Sequence, residues 1–280
     1  VFTYCNRACW FCPNSHIDRR STNRYMDEGL YLRILRELAE IEYSQTITYS
    51  RYNEPLSDRI ILTRLKQARA ALPNVYLSTY TNGDYVTREY LDELRDAGLN
   101  NIYVMTYLGD RQKFSDTKML TQMMRKIAQL GLSCKFIEAH EGIAYTAELR
   151  YKGMTVSILS RNFARTGTDR GGQVDIDPYV RTTWCPLVFK CVYFDWNGCV
   201  VPCCNIRSDV PEHQGFIVDD ISTGRSIFEA YASSALVDWR RKLFRYGLKD
   251  SPCGTCSVCV PEDTAEVKAV VEHISEENNI

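Results

Sequence analysis

Apolar and polar positions in the first half of the chain repeat with the periods of helices and strands. Within residues 27–41 the apolar side chains recur every three or four positions, which predicts an amphipathic helix. Its apolar stripe comprises Leu30, Ile34, Leu35, Leu38 and Ile41. Short apolar runs predict strands at 46–52, 75–81, 101–107 and 132–139, and helical patterns lie between them at 62–72, 87–98 and 115–130. Strand and helix therefore alternate, as in parallel βα units.

The ends of the predicted elements indicate where a site would lie. Thr87 is a suitable N-cap for the helix that follows it, and Gly98 lies just past the end of that helix. The number of βα units favours a full or partial (β/α) barrel over an open sheet. Because barrel sites lie at the carboxyl ends of the strands, segments 51–55 and 79–84 are candidates for ligand contacts. Both are also good turn sequences, so this pattern alone leaves their role open.

Composition and charge narrow the class of protein. The chain has 280 residues, 45% of them hydrophobic, which is enough for one large domain and a small additional one. Its 34 basic and 35 acidic residues give a net charge of −1, so no basic surface for nucleic acid is expected. No apolar run approaches the ~20 residues that span a bilayer. We therefore expect a cytoplasmic protein that binds neither nucleic acid nor membrane, and further residues before Val1, since the first motif begins so close to it.

Cysteine is the residue type that points to chemistry. The twelve cysteines fall mainly into a group near the N-terminus and a group after residue 184. A large chain of cytosolic character favours metal or redox chemistry over disulfides. Zinc is the obvious competitor, but zinc ligands usually come as CxxC pairs or with suitably spaced histidines, and none of the four histidines is so placed. The first group is Cys5, Cys9 and Cys12.

Cys5-x-x-x-Cys9-x-x-Cys12, with the aromatic Phe11 before the last cysteine, resembles the signature of the radical S-adenosylmethionine (SAM) superfamily. The resemblance implies a partial (β/α)6 TIM-like barrel over residues 1–180. It also implies a 4Fe-4S cluster with three protein thiolates, whose open iron binds SAM and whose electron yields a 5′-deoxyadenosyl radical. Four thiolates would instead close the cluster for electron transfer.

The resemblance extends to the strand ends. The segment "YNEP" stands where the superfamily carries its GGEP-like motif, and Glu54 matches the acid that holds the SAM amino group. Tyr52 and Asn53 replace the two glycines of that motif. With Asn82 at the next strand end, the expected cofactor-binding residues are Phe11, Tyr52, Asn53, Glu54 and Asn82.

The second cysteine group resembles the twitch or SPASM-type auxiliary domain of some radical SAM enzymes. A hairpin-like segment around Gly198 followed by a CxxC pair implies one auxiliary 4Fe-4S cluster within residues 181–262, followed by a C-terminal helix at 263–280. The ligands implied are Cys185, Cys203, Cys253 and Cys256, with Cys259 as the substitute if one is misassigned. Cys191, Cys199 and Cys204 are then spare.

The motifs together resemble the short radical SAM enzymes of aminoglycoside antibiotic biosynthesis. That likeness implies a sugar or aminocyclitol substrate, contacts from Tyr52 and Arg170, and a flavodoxin or ferredoxin as reductant. If Cys203 faces the cluster in extended backbone, Cys204 points the other way and could return a hydrogen atom, which favours an epimerase. A dehydrogenase that uses the auxiliary cluster as electron acceptor is the alternative. A ribosomal-peptide-modifying enzyme, an epimerase or crosslinker, remains a third reading.

Overall fold

The computed structural model describes residues 1–109, 112–134, 137–176 and 179–277. The chain divides into two compact units. The first comprises Val1–Tyr25 and Tyr31–Thr166, and the second comprises Met26–Leu30 and Gly167–Ile280. Within the described residues no helix is both long and apolar enough to cross a bilayer.

A six-stranded sheet forms the centre of the first unit. Its strands are β1 (Thr46–Tyr49), β2 (Tyr76–Thr81), β3 (Asn101–Thr106), β4 (Glu138–His140), β5 (Ala144–Tyr151) and β6 (Met154–Arg161). They lie in the order β1-β2-β3-β6-β5-β4. The pairs β1–β2, β2–β3 and β3–β6 are parallel, whereas the pairs β6–β5 and β5–β4 are antiparallel. The α/β class with a parallel sheet is confirmed, and the described strands form an open sheet rather than a closed barrel.

Helices of the first unit follow the predicted pattern closely. They are α1 (Glu28–Glu40), which begins in the second unit, α2 (Ile60–Ala71), α3 (Arg88–Asp96), α4 (Asp116–Gln129) and α5 (Phe163–Thr166). The Thr87 side chain accepts a hydrogen bond from Tyr90 N, so the predicted N-cap is confirmed. Gly98 has φ +96°, the left-handed conformation expected just past a helix. The predicted stripe is longer than the helix: Ile34 and Leu35 are buried on α1, whereas Ile41 lies just past its end and is 54% exposed.

The two faces of β2 differ in burial. Leu77, Thr79 and Thr81 are buried, whereas on the opposite face Tyr76 and Tyr80 are exposed and Ser78 between them is buried. The exposed part of the second face is therefore limited to the two tyrosines.

The sequence analysis predicted only parallel βα units, and this expectation is wrong after β3. Strands β4, β5 and β6 form an antiparallel meander instead. Tyr151 pairs with Met154 across the two-residue loop Lys152-Gly153, where both residues have positive φ, 49° and 89°. Such a loop reverses the chain at once and leaves no room for a crossover helix. Of the strand predicted at 132–139, residues 135 and 136 lie outside the described residues, and only its end coincides with β4.

The second unit contains a small antiparallel sheet and four helices. The sheet consists of β7 (Tyr193–Phe194), β8 (Cys199–Val201) and β9 (Asp219–Asp220). The helices are α6 (Leu187–Lys190), α7 (Ile227–Tyr231), α8 (Ser234–Leu243) and α9 (Ala265–Glu277). The predicted hairpin is β7–β8, and α9 covers most of the predicted C-terminal helix, whose last residues 278–280 lie outside the described residues.

Replacing Gly198 with alanine is expected to destabilise the second unit by about 1–3 kcal/mol. Gly198 closes the β7–β8 turn with φ +90°, and a Cβ there would lie 2.9 Å from Ser222 Cβ and 3.0 Å from Ser222 N. Urea unfolding of the full-length variant measures the loss. Gly224→Ala is the matched control, because Gly224 has φ +99° but a Cβ at that position would have nothing within 4 Å. Equal losses in the two variants would show that the close approach to Ser222 is unimportant.

Candidate functional site

Residues 5–12, here called the first cysteine loop, are held by their own main chain. Cys5 N donates to Arg19 O at 3.0 Å, and Cys12 N donates to Cys9 O at 3.0 Å in a tight turn. Cys12 then begins a short 3-10 helix, Pro13–Ser15. These bonds bring the ends of the loop back into the first unit, so its three thiols belong to one compact segment.

A polar clamp attaches the first cysteine loop to the end of β2. Arg7 donates to both carboxylate oxygens of Asp84, with Nε–Oδ2 at 2.7 Å and Nη2–Oδ1 at 2.5 Å. Asn6 Nδ2 donates to the same Asp84 at 2.7 Å, and Asn82 Nδ2 donates to Asn6 Oδ1 at 2.8 Å. A bidentate arginine–carboxylate pair fixes direction as well as distance. The loop therefore lies at the carboxyl end of β2.

Ring contacts of Phe11 connect the loop to the residues that follow β3 and β6. The ring of Phe11 stacks on that of Phe163, just after β6, with centroids 3.8 Å apart. It also lies 5.3 Å from the ring of Tyr107, which directly follows β3. Burial raises the pKa of Tyr107 far above its usual value, and the nearby Cys9 and Cys12 act in the same direction. The loop thus meets the carboxyl edge of the parallel strands, where a (β/α) site is expected.

The three thiols of the loop are suited to sharing one cluster. Burial raises the pKa of the Cys5 thiol, and Glu54 and Cys12 raise it further, so Cys5 and Cys12 lie within electrostatic range of each other. Cys9 and Cys12 both raise the pKa of Tyr107, so both lie near that ring. Grouped thiolates repel one another unless a cation binds between them. The donor set therefore fits an iron–sulfur cluster held by three protein ligands, with one iron left for another molecule.

Glu54 is the most buried acid at this edge, 1% exposed. Its Oε1 accepts from Thr81 Oγ1 at 2.6 Å and from Leu56 N at 3.0 Å, and its Oε2 accepts from Asn82 N at 2.7 Å. Burial raises the pKa of its carboxyl group, and these three hydrogen bonds oppose the rise. Glu54 therefore ties the end of β1 to the end of β2, and only part of the acceptor capacity of Oε2 is left for a ligand.

Two other predicted cofactor-binding residues, Tyr52 and Asn53, directly precede Glu54 in the chain. Tyr52 has φ +57°, the left-handed conformation that glycine adopts most readily, although its side chain is large. Its main-chain oxygen accepts from the buried Asn14 at 2.9 Å. Asn53 Oδ1 accepts from Arg51 N at 2.9 Å. The backbone at Tyr52 thus keeps a glycine-like shape where the expected motif has glycine.

A second group of thiols lines a cavity within the second unit. Its walls include Cys185, Cys203, Cys253 and Cys256, the four predicted auxiliary ligands, together with Arg181. The cavity volume is about 20 Å³, and the larger space around it includes open solvent. Across the described ranges no three cysteine, histidine or acidic side chains are arranged to hold a single metal ion. Four thiols spread around a cavity suit a cluster of several irons, whereas a zinc site draws its ligands in around one ion.

The pKa shifts at this cavity follow from its crowded thiols. Burial raises the pKa of Cys203 well above its usual value, and Cys204, Cys253 and Cys256 act in the same direction. Burial also raises the pKa of Cys253 to about 12, with Cys256 and Cys185 adding to the rise. Ionising all four together needs compensating positive charge, which iron supplies when it binds.

Cys203 and Cys204 lie in a bend and a turn after β8, and not in the strand itself. β8 ends at Val201, and Ile206 N donates to Cys203 O at 3.4 Å. The described residues that line the cavity include Cys203 and Asn205 but not Cys204. The Pro202-Cys203 step after β8 interrupts the strand, because proline cannot donate to a ladder.

Asn205, which the sequence analysis missed, links three residues of the second unit. Its Nδ2 donates to Cys256 Sγ at 3.3 Å. Its Oδ1 accepts from Arg170 Nη1 at 3.4 Å and lies 3.9 Å from Cys204 Sγ. The structure thus brings Arg170 and Cys204, both predicted to be catalytic, to one amide oxygen. Tyr52, the third residue predicted to be catalytic, belongs to the first unit.

A comparison with known protein families gives a match that includes the first cysteine loop. The family model of the radical SAM superfamily matches residues 1–128. After this match we call residues 1–128 the radical SAM segment. This radical SAM segment contains the first cysteine loop, Glu54 and the Arg7–Asp84 clamp, so the family match and the geometry point to the same residues.

Two kinds of relative are similar to the chain. The S-adenosyl-L-methionine-dependent 2-deoxy-scyllo-inosamine dehydrogenase of Niallia circulans is 32% identical over 114 residues, which cover 41% of this chain and 45% of that relative. The crystal structure of BtrN in complex with AdoMet and 2-DOIA covers 96% of this chain and 92% of its own, with a TM-score of 0.62 at 19% identity. An open conformation of BtrN gives 0.56 at 18%. At these identities the structures show a shared fold that extends beyond the radical SAM segment.

Within the radical SAM segment, Glu54→Gln is expected to cost about 1–3 kcal/mol of stability. Glutamine can keep the two bonds to Oε1 only by placing its NH₂ group against Asn82 N–H, where two donors would meet. Urea unfolding measures the loss. Glu93→Gln is the control, because Glu93 pairs with Arg59 at an exposed site, where such pairs contribute under ~1 kcal/mol. Equal losses would mean that the amide NH₂ finds another partner.

Proposed function

We propose that this chain is a radical SAM dehydrogenase that oxidises a secondary alcohol of an aminocyclitol or related sugar to a ketone. The observation that carries the proposal is the cavity lined by Cys185, Cys203, Cys253 and Cys256. Removal of a hydrogen atom from an alcohol carbon leaves one further electron and the hydroxyl proton to be lost. A four-thiolate cluster serves electron transfer and suits that role. The inosamine dehydrogenase similar to the first part of the chain supports the same substrate class.

The proposed roles in binding and electron transfer fall to residues of both units. Cys5, Cys9 and Cys12 would hold the first cluster, and Phe11, Tyr52, Asn53, Glu54 and Asn82 would bind SAM. When bound, the first cluster and SAM supply the radical that removes hydrogen, and the second cluster accepts an electron. A flavodoxin or ferredoxin provides the electron that starts each turnover. The net charge is only −1, so the charge of the chain does not favour nucleic acid as the substrate.

Arg170 is the proposed contact to the substrate oxygen in the second unit. It lies next to two glycines, has φ +55°, and its Nη1 donates to Asn205 Oδ1 at 3.4 Å. A guanidinium stabilises negative charge on the alcohol oxygen as the carbon is oxidised. Asn205 also donates to Cys256, so Arg170 is joined to a ligand of the proposed electron acceptor through one side chain.

Epimerisation is the second candidate, and Cys204 is the observation that favours it. Its thiol lies 3.9 Å from Asn205 Oδ1, the oxygen that also accepts from Arg170. A thiol can return a hydrogen atom to a carbon radical, because its S–H bond is weaker than the C–H bond formed. Cys203 and Cys204 lie outside the strand, which weakens the backbone argument for this role, so the dehydrogenase is the better-supported reaction.

Anaerobic turnover in deuterated water distinguishes the candidates. The protein is incubated with SAM, a reductant and a panel of aminocyclitols, aminoglycosides and short peptides, and products are analysed by mass spectrometry. A small-molecule product lighter by two hydrogens supports the dehydrogenase. A product of unchanged composition that gains one carbon-bound deuterium, and that is lost in Cys204→Ala, establishes the epimerase instead. Modification of peptides alone would overturn the substrate class.

A further inference from the structure

Arg181 is a fully buried arginine in the wall of the four-thiol cavity, 1% exposed. Its guanidinium donates to five main-chain carbonyl oxygens at 2.7–3.3 Å, those of Thr183, Trp184, Cys256, Val258 and Cys259. Its own N donates to Gly254 O at 2.8 Å. Three of the five acceptors, and Gly254, belong to residues 253–259, here called the second cysteine loop. Arg181 therefore forms the centre around which this loop folds.

The charge of Arg181 has only neutral acceptors near it among the described residues. No carboxylate within the described part of the chain lies at salt-bridge distance from its guanidinium, which bonds to carbonyl oxygens alone. Arg207, equally buried, differs in this respect, because its Nε and Nη2 donate to Asp209 at 2.9 and 3.0 Å. A buried charge without a counter-charge is destabilising. The thiols beside Arg181 are the groups that can provide one.

Around the second cysteine loop, a cationic side chain and hydrogen-bond donors lie near the cysteine sulfur atoms. Arg181 lines the cavity wall together with Cys185, Cys253 and Cys256. Cys256 Sγ accepts from Asn205 Nδ2 at 3.3 Å and from Val258 N at 3.4 Å. Asp169 opposes this trend, since it lies near Cys253 and accepts from Thr255 Oγ1. The guanidinium and the two N–H donors nevertheless direct positive charge toward the sulfur atoms.

We propose that Arg181 is the positioning residue and built-in counter-charge of the auxiliary iron–sulfur cluster. It shapes the second cysteine loop through carbonyl oxygens, and it raises the reduction potential of the cluster, since reduction adds a negative charge that a nearby fixed cation stabilises. This inference rests on the proposed function, because that function assigns an auxiliary cluster to the cavity. It explains how a cluster surrounded by protein is made ready to accept an electron.

The test uses the full-length chain with Cys5, Cys9 and Cys12 changed to alanine, so that only the auxiliary cluster is observed. Arg181→Met removes the charge and keeps most of the length, and Arg181→Lys keeps the charge but not the planar fork. The double variant Arg207→Met/Asp209→Asn is the matched control, because it removes a buried arginine without changing the net charge. The readouts are the midpoint potential, from an EPR-monitored redox titration, and the rate of iron release to a chelator.

Arg181→Met is expected to have a lower midpoint potential and an iron release rate about 10- to 100-fold higher. Arg181→Lys is expected to retain the potential and to lose iron faster, and the control is expected to match the parent in both. An unchanged potential in Arg181→Met would overturn the inference. If Arg181→Met binds no iron, a parent-like circular dichroism spectrum of its iron-free form supports the inference, whereas an unfolded iron-free form overturns it. A parent protein without iron would instead contradict the proposed auxiliary cluster itself.

Discussion

Cys203→Ala is expected to bind about half the iron of the parent protein and to release no ketone product. Cys203 lines the four-thiol cavity, and its loss leaves three thiols around a cluster that the proposed function assigns to electron transfer. The first cysteine loop belongs to the other unit, so SAM cleavage should continue. We therefore expect 5′-deoxyadenosine to accumulate without a matching amount of oxidised substrate, measured by iron analysis and mass spectrometry.

Two cysteines of the same unit serve as controls for this result. Cys199 lies on β8 and is not among the described residues of the cavity wall, so Cys199→Ala should keep full iron and full oxidation. Cys259 is the substitute ligand suggested by the sequence, and it is exposed, with φ +48°. Full iron in Cys203→Ala together with loss of iron in Cys259→Ala would show that Cys259 replaces Cys203 in the ligand set.

Cys12→Ala is expected to abolish SAM cleavage completely while leaving the auxiliary cluster in place. Cys12 ends the first cysteine loop and begins the Pro13–Ser15 helix, and its thiol acts on both Cys5 and Tyr107. Two remaining thiols cannot hold the cluster that binds SAM. The expected result is about half the parent iron, no 5′-deoxyadenosine, and an EPR signal that no longer changes when SAM is added.

Cys134→Ala is the control for Cys12→Ala, because Cys134 lies between α4 and β4 and outside both cysteine groups. It should retain SAM cleavage and the SAM-dependent change of the EPR signal. The two ligand variants together form a reciprocal pair, since one keeps SAM cleavage and loses oxidation, and the other loses the first step. If Cys12→Ala still produced 5′-deoxyadenosine, the first cysteine loop would not be the SAM site.

Local signals predicted the first three βα units well. The helical period and the N-cap at Thr87 depend on residues close together in sequence, so they can be recognised without the fold. The β5–β6 hairpin was missed, although Lys152-Gly153 between two alternating runs is a recognisable turn. The regular succession of strands and helices before it favoured one more parallel crossover connection, so the hairpin was not predicted.

The supporting residues of both sites could not be predicted from local sequence. Arg7 and Asp84 are 77 positions apart, and Arg181 is 75 positions from Cys256. Each looks like an ordinary surface residue until the fold brings its partner close. The cysteines themselves were found because thiols at short spacing carry a signal of their own. Chemistry that lies in a motif is therefore visible in the sequence, whereas the groups that orient it are visible only in the structure.

The five residues Met26–Leu30 belong to the second unit although Val1–Tyr25 and Tyr31–Thr166 form the first. Neither unit is thus one continuous piece of chain. During synthesis this short segment leaves the ribosome well before residues 167–280, with which it packs. A fragment cut at residue 167 would separate it from its partners, so expression of the two halves as independent proteins should give incomplete products. Biosynthetic assembly of the second unit is consequently tied to synthesis of residues 167–280.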